Sequence, residues 1–196
     1  MIAKLAKSTA HFFVEKEIVN SEDEEVYVYG MELLFSTLFN IILAVIIGAV
    51  TSSMLETAIF LAAFISVRQC IGGYHAETHW GCMSILGVVL IAFAIIVKLT
   101  PEAFVIPISI ALTIVSFILV LLFAPVEHPN KPLSDKEKSV LRKKGITLLS
   151  IISVVVFILV TFLALRKYSM YISLGGVTSA VAMVCQKIKN CRNSSS

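Results

Sequence analysis

Residues 104–124 read FVIPISIALTIVSFILVLLFA, a run of 21 residues without a charged side chain. A helix rises about 1.5 Å per residue and the hydrocarbon core of a bilayer is roughly 30 Å thick, so about 20 residues span it. This run predicts a membrane-spanning helix. Two further runs, 33–50 and 146–165, have the same character and comparable length. The chain is therefore predicted to be an all-α integral membrane protein.

Three shorter apolar runs complete the pattern, at 57–67 extended towards Ile71, at 82–97 and at 171–184. Each holds only about 14 to 16 residues, which leaves room for local thinning of the bilayer, oblique insertion or a partly re-entrant path. The prediction is one domain over 1–196 with about six transmembrane helices. It divides into an N-terminal amphipathic, cytoplasmic segment (1–32), a six-span core (33–184) and a cytoplasmic tail (185–196).

The composition supports a lipid environment, since 58% of the residues are hydrophobic, 15% are charged and the mean hydropathy is +0.92. Soluble domains are closer to 45–50% apolar and about 25% charged, so this composition argues against a soluble enzyme domain. The high hydrophobicity and small net charge also exclude intrinsic disorder. The net charge of +3 comes from short basic clusters between apolar runs, so we expect no nucleic acid partner.

The positive residues alternate between the gaps that separate the runs. Counted from the N-terminus, alternate gaps hold 13 Lys and Arg residues and the remaining gaps hold 3. Cytoplasmic loops retain Lys and Arg, so both termini are predicted to be cytoplasmic, with six crossings. Before the first run, apolar residues recur near helical spacing and predict an amphipathic helix on the membrane surface, or a short packing helix: Ile2, Leu5, Ala6, Thr9, Phe12, Phe13 and Val19. We interpret residues 22–25 as a solvated acidic connector.

The segment between runs two and three, residues 68–82, reads RQCIGGYHAETHWGC. Ionisable residues at membrane depth are costly and usually functional. His75 offers a base that titrates near neutrality, and Cys82 offers a thiol that such a base can activate. This pair suits acyl transfer.

Helix geometry restricts that hypothesis. Seven residues of straight helix separate His75 from Cys82 by about 10 Å along the axis, whereas a nucleophile and its base must approach to roughly 3 Å. The chain must therefore break or fold back, and Gly72, Gly73 and Gly81 would permit this.

Other interpretations of the segment stay open. His75, His79 and Cys82 lie at i, i+4 and i+7 and could form a zinc site, although HAETH does not match the HExxH motif of metalloproteases. Cys82 could be a packing residue and Arg68 a snorkelling one. A small channel or transporter without covalent chemistry is a further hypothesis, but the spans offer few polar residues for a path.

The segment resembles the accessory gene regulator B endopeptidases, integral membrane cysteine proteases of Gram-positive quorum-sensing systems. The resemblance is carried by Arg68, Gly72, Gly73, His75 with Ala76, and Cys82 seven residues after the histidine. A second similarity is the stretch APVEHPNKPL at 124–133, which looks like the proline-rich NKP loop of that family.

The resemblance implies a bacterial cell-membrane enzyme that cuts an autoinducer propeptide with an acidic C-terminal tail, through an acyl thioester, and promotes thiolactone or lactone closure. His75 and Cys82 would be catalytic, with Arg68, Gly72, Gly73 and Lys131 in supporting or substrate-binding positions. The stretch 125–145 is predicted to be a loop, and its basic residues could bind the acidic tail or anionic membrane lipid. We expect no cofactor and no metal, and we expect a homodimer.

Overall fold

The computed structural model describes residues 2–72, 79–127 and 133–193, and within these ranges the chain is helical without a β-strand. The all-α prediction is confirmed. The long helices are α1 (Ile2–Glu15), α2 (Glu24–Val50), α3 (Met54–Ile71), α4 (His79–Leu99), α5 (Glu102–Phe123), α6 (Asp135–Thr161) and α7 (Arg166–Asn193). Single turns of 3-10 helix at Ser21–Asp23 and Leu163–Leu165 precede α2 and α7.

Each of the six predicted apolar runs lies within one of the helices α2 to α7, apart from residues at their ends, but three helices extend well beyond their runs. The interpretation of residues 22–25 as a connector is wrong in part, because α2 begins at Glu24 and carries Glu24 and Glu25 in its first turn, where acidic side chains favour a helix. Likewise α7 continues to Asn193, through most of the predicted tail. Hydropathy marks where a helix meets lipid, not where its backbone hydrogen bonds end.

The largest difference concerns the basic stretch 125–145, which was expected to be a loop. A capping box starts α6 there: the amide of Glu137 donates to the Ser134 hydroxyl and the Glu137 carboxylate accepts from the Ser134 amide. Reciprocal bonds of this kind satisfy two amides that a helix start otherwise leaves unpaired. The residues from Asp135 to Gly145 therefore form the first turns of α6.

Five of these helices, those containing α2, α3, α5, α6 and α7, are long and apolar enough to cross a membrane. The described apolar stretch of α4, Ser84–Leu99, is shorter, so the number of crossings, predicted as six, stays a prediction. Many large apolar side chains of these helices point outwards, among them Val88, Ile114, Leu122, Val154 and Phe157. These outward-facing apolar side chains are suited to contact with lipid rather than water, as expected of a multi-pass membrane protein.

Helix α7 is the most buried of the five and packs against α3 and α5. A Cβ on Gly175 would lie 2.7 Å from the carbonyl oxygen of Phe60, which shows how closely α3 approaches. The hydroxyl of Ser179 crosses the same contact to the carbonyl of Phe64 at 2.8 Å. On the α5 side, Thr113 and Ser173 share a hydrogen bond of 2.9 Å. Small residues and interhelical hydrogen bonds are the usual means of helix association in membranes.

Contacts at the helix termini define two ends of the bundle. At one, which we call the Glu56 end, the carboxylate of Glu56 accepts from Lys167 at 2.9 Å, and Lys98 donates to the carbonyl of Thr51. Helices α2 and α4 end here and α3 and α7 begin here. The opposite end, where α3 ends, is called the Gly72 end.

The N-terminal helix α1 buries Ile2, Ala6 and Ala10 along one face and packs on α2. Leu5 and Phe12, expected in its apolar stripe, are exposed. The location of α1 on the membrane surface stays a prediction.

Candidate active site

The chain leaves α3 through Gly72. Its amide donates to the carbonyl of Arg68 at 3.1 Å, and its φ of 79° lies in the left-handed region that favours glycine. The α-helix therefore ends at Ile71, the first residue before the glycine pair. No single straight helix runs from α3 into α4.

The predicted catalytic residues lie at and beyond this break. Gly73, His75 and Lys131 lie outside the described residues. Cys82 is in the first turn of α4, which begins at His79, but the side chains of both residues lie outside the description. The structure thus locates the backbone of Cys82 and leaves the distance from His75 to Cys82 a prediction. The zinc hypothesis is untested for the same reason, and the described side chains themselves contain no group of three that could hold a metal ion.

Arg68 lies one turn before the end of α3, half-buried, with its guanidinium 5.5 Å from the ring centroid of Phe64. Such a cation-π contact is typical of arginine and orients the flat group. This position is near the Gly72 end, one turn before residues 72–82, which we call the candidate catalytic segment.

The connection between α5 and α6 docks on the end of α3. The amide of Val126 donates to the carbonyl of Ile71 at 3.0 Å. The carbonyl oxygen of Val126 lies so close to Gly72 that a Cβ there would be 2.2 Å from it. The side chains of Val126 and Ile71 are buried together, in a cluster that includes Val67 and Met183. The start of the proline-rich stretch, residues 124–126, and the end of α3 are therefore packed together.

Glu127 fixes the next position of this connection. One carboxylate oxygen accepts from the amide of Leu133 at 2.9 Å and the other pairs with Lys138 at 3.3 Å. The Leu133 amide first, and then Lys138, hold the pKa of Glu127 below the usual value of a glutamate. The backbone carbonyl of Glu127 accepts from the side chain of Asn190 in α7 at 2.8 Å.

The described basic residues of 125–145, the stretch predicted to be cytoplasmic, fall into two groups. Lys138 pairs with Glu127, and Arg142 donates to the carbonyl of Leu121 at the end of α5 at 3.0 Å. Three other lysines are exposed at the start of α6, and no ion pair or hydrogen bond joins them to the part of the chain that the structure describes: Lys136, Lys143 and Lys144. The first group makes contacts within the described chain, and the second makes none there.

The sequence reasoning missed Val126, Glu127 and Asn190. A signal was present for one of them, because Glu127 is the only acidic residue in APVEHPNKPL. The docking of Val126 on Ile71 joins residues far apart in the chain and leaves no local pattern.

The pattern of the family described as Accessory gene regulator B matches residues 5–185, which is most of the chain. The chain belongs to the accessory gene regulator B family. The resemblance drawn from the residues around His75 and Cys82 is therefore confirmed at the level of the family. Membership implies a role in processing a quorum-sensing autoinducer, and it agrees with the multi-pass membrane architecture.

Individual relatives support the same family assignment. A putative AgrB-like protein 2 of Clostridium perfringens is 32% identical over 165 residues, which cover 81% of this chain and 75% of the relative. Protein FsrB of Enterococcus faecalis is 26% identical, covering 83% of this chain and 64% of that protein. A putative AgrB-like protein of Clostridium beijerinckii is 27% identical, covering 84% and 79%. No solved structure matches the chain.

Proposed function

We propose that this AgrB family member is a membrane cysteine endopeptidase that cuts an autoinducer propeptide and promotes ring closure of the product. The observation that carries the proposal is the position of Cys82 in the first turn of α4, ten residues after the chain has left α3 at Gly72. The N-terminal end of a helix stabilises an anion such as a thiolate. His75 precedes that turn and is the proposed base.

In the first step the sulfur of Cys82 attacks the scissile carbonyl carbon while His75 accepts the thiol proton. The C–N bond then breaks, and His75 gives the proton to the departing amine. The C-terminal tail leaves with a new amino terminus, and the rest of the peptide stays on Cys82 as an acyl thioester.

In the second step a thiol or hydroxyl of the bound peptide attacks the thioester carbonyl and gives its proton to His75. The C–S bond to Cys82 breaks, and the departing thiolate takes the proton back from His75. For a thiolactone one thioester replaces another, so the exchange is nearly balanced in energy. Ring closure then depends on holding the two groups close and on excluding water, which a membrane site favours.

The charges at the Gly72 end support a substrate with an acidic tail. Lys136, Lys143 and Lys144 are exposed and without a partner in the described chain, and carboxylates of a released tail would satisfy them. Arg68 offers a planar fork that binds a carboxylate with two parallel hydrogen bonds. By the resemblance, Lys131 would also have a supporting or substrate-binding role.

The orientation and assembly belong to the same proposal. The Gly72 end carries most of the Lys and Arg residues, so we place it, with both termini, in the cytoplasm, within a bacterial cell membrane. The enzyme acts as a homodimer in contact with membrane lipid.

The test uses the full-length protein in liposomes and a synthetic propeptide encoded by the neighbouring reading frame. Cys82→Ala and His75→Ala should each abolish cleavage, while Cys70→Ala, a half-buried thiol on α3, retains it. An adduct of the peptide on Cys82, removed by hydroxylamine, should appear in mass spectra of the working enzyme.

The same preparation separates thiol from zinc chemistry. His79→Ala and a chelator should leave most of the cleavage intact. Cleavage that persists in Cys82→Ala, or an enzyme that carries stoichiometric zinc and stops on chelation, would overturn the proposal. The channel hypothesis gains no support from the contact of α5 with α7, because the buried side chains Ser109, Thr113, Ser169 and Ser173 bond to one another and to backbone carbonyls there.

A further inference from the structure

Glu127 is the residue at which three parts of the Gly72 end meet. Its carboxylate binds the amide of Leu133 and the ammonium of Lys138, and its backbone carbonyl binds Asn190 of α7. The residues 128–132, which include Lys131, lie between Glu127 and Leu133 in the chain. The carboxylate thus joins the residues on either side of 128–132 and connects Glu127 to the start of α6.

Val126, the residue before Glu127, connects Glu127 to the end of α3. Val126 is buried, its amide binds the carbonyl of Ile71, and its carbonyl oxygen is in contact with Gly72. Val126 is covalently adjacent to Glu127, and its carbonyl oxygen lies 2.2 Å from where a Cβ on Gly72 would be. The closeness of these contacts converts an exposed ion pair into a restraint on the first residue of the candidate catalytic segment.

The helix α7 strengthens the restraint from a third side. Asn190 accepts from Gln186 at 2.9 Å and donates to Glu127, and Gln186 is buried. Fully satisfied networks of this kind rigidify the groups they join. The restraint therefore combines contacts to α3, α6 and α7.

We propose that Glu127 is a positioning residue for the reaction. It holds Val126 against Ile71 and Gly72 and thereby fixes the segment that leads to His75 and Cys82. This inference rests on the proposed function. In this proposal Glu127 acts through Val126 and takes no part in the bond-making and bond-breaking steps. Its removal affects the turnover of bound peptide more than the binding of peptide.

The test compares Glu127→Leu, which removes both side-chain contacts, with Glu127→Gln, which keeps an oxygen for the Leu133 amide. Glu102→Leu, an exposed carboxylate in the first turn of α5, is the matched control. Amide hydrogen exchange is measured at Leu133 and Val126 in liposomes, together with kcat and KM for the propeptide.

Glu127→Leu should speed exchange at Leu133 and Val126 at least about tenfold and lower kcat about tenfold, with KM changed less than about threefold. Glu127→Gln should restore most of the protection at both amides and most of the kcat. Unchanged exchange at Val126, or a fall in kcat no larger than that of Glu102→Leu, would overturn the proposal. If Glu127→Leu fails to fold, the smaller Glu127→Ala, which also removes both side-chain contacts, takes its place. Unchanged exchange at Val126 or an unchanged kcat in Glu127→Ala would then overturn the proposal.

The exchange measurement separates this proposal from the function itself. Exchange at Val126 reports the docking whether or not Cys82 is a nucleophile. Rapid exchange in Glu127→Leu together with full cleavage by Cys82→Ala would retain the docking role and refute the enzyme mechanism.

Discussion

The carbonyl oxygen of Val126 occupies the space that a side chain on Gly72 would need, 2.2 Å from an ideal Cβ. Two sequence motifs that are more than 50 residues apart in the chain are thereby joined. The glycine pair ends α3, and the proline-rich connection lies against that end. The requirement for glycine at this position is therefore steric as well as conformational.

Gly72→Ala should be strongly disruptive for both reasons. With φ 79° and ψ 179°, Gly72 lies in a backbone region that is essentially restricted to glycine and costs an L-residue roughly 1–3 kcal/mol, and the new methyl group must also displace the backbone of Val126. We expect cleavage of the propeptide to fall at least about tenfold, while far-UV circular dichroism still reports a helical protein.

The control for this substitution is Gly30→Ala, where a Cβ meets nothing within 4 Å and the residue is inside α2. Alanine is the better helix former by about 1 kcal/mol, so this variant should keep its activity and lose no stability. Equal activities of Gly72→Ala and Gly30→Ala would contradict the steric argument.

The helix contacts of α7 give a second prediction. Gly175→Ala brings a methyl group within 2.7 Å of the Phe60 carbonyl and 2.9 Å of Ala63, so α3 and α7 must separate. Overpacking of this kind costs typically 1–3 kcal/mol, and the thermal unfolding midpoint in detergent should fall by several degrees. Gly176→Ala is the matched control, because its nearest neighbour is the Ser116 hydroxyl at 3.5 Å. A similar midpoint for the two variants would mean that the α3–α7 contact is looser than described.

The sequence predicted the parts of the fold that a lipid environment determines. An apolar run near 20 residues long has few alternatives to a helix, and all the apolar runs lie in helices. The start of α6 was not recognised, although Ser134 and Glu137 have the spacing of a capping box, because the basic residues were attributed to a loop.

The candidate site was predictable only where chemistry is concentrated in a short segment. His75 and Cys82 are seven residues apart and could be found by their reactivity. Glu127 and Val126 act through contacts to Ile71, Leu133, Lys138 and Asn190, which depend on how helices pack and have no local pattern. A sequence can show which groups react, but the groups that position them emerge from the tertiary structure.

The last prediction concerns the path of α4, whose described apolar stretch is the shortest of the six. The ammonium of Lys98, in the last turn of α4, binds the carbonyl of Thr51, just beyond α2 at the Glu56 end. A helix that begins after the Gly72 end and ends beside Thr51 runs the length of the bundle, so we expect α4 to cross the membrane. Residue 102 then lies outside the cell, and Ser134 and Ser196 lie inside.

Single cysteines at Glu102, Ser134 and Ser196 test this path in a background in which the four native cysteines are replaced. A membrane-impermeant maleimide should label Glu102→Cys in intact cells and should label Ser134→Cys and Ser196→Cys only after permeabilisation. If α4 turned back instead, Glu102 would share a side with the Gly72 end, and α5 would carry Ser134 to the opposite face. Labelling of Ser134→Cys from outside, with Glu102→Cys protected, would therefore reduce the number of crossings to five and reverse the side on which the basic start of α6 is found.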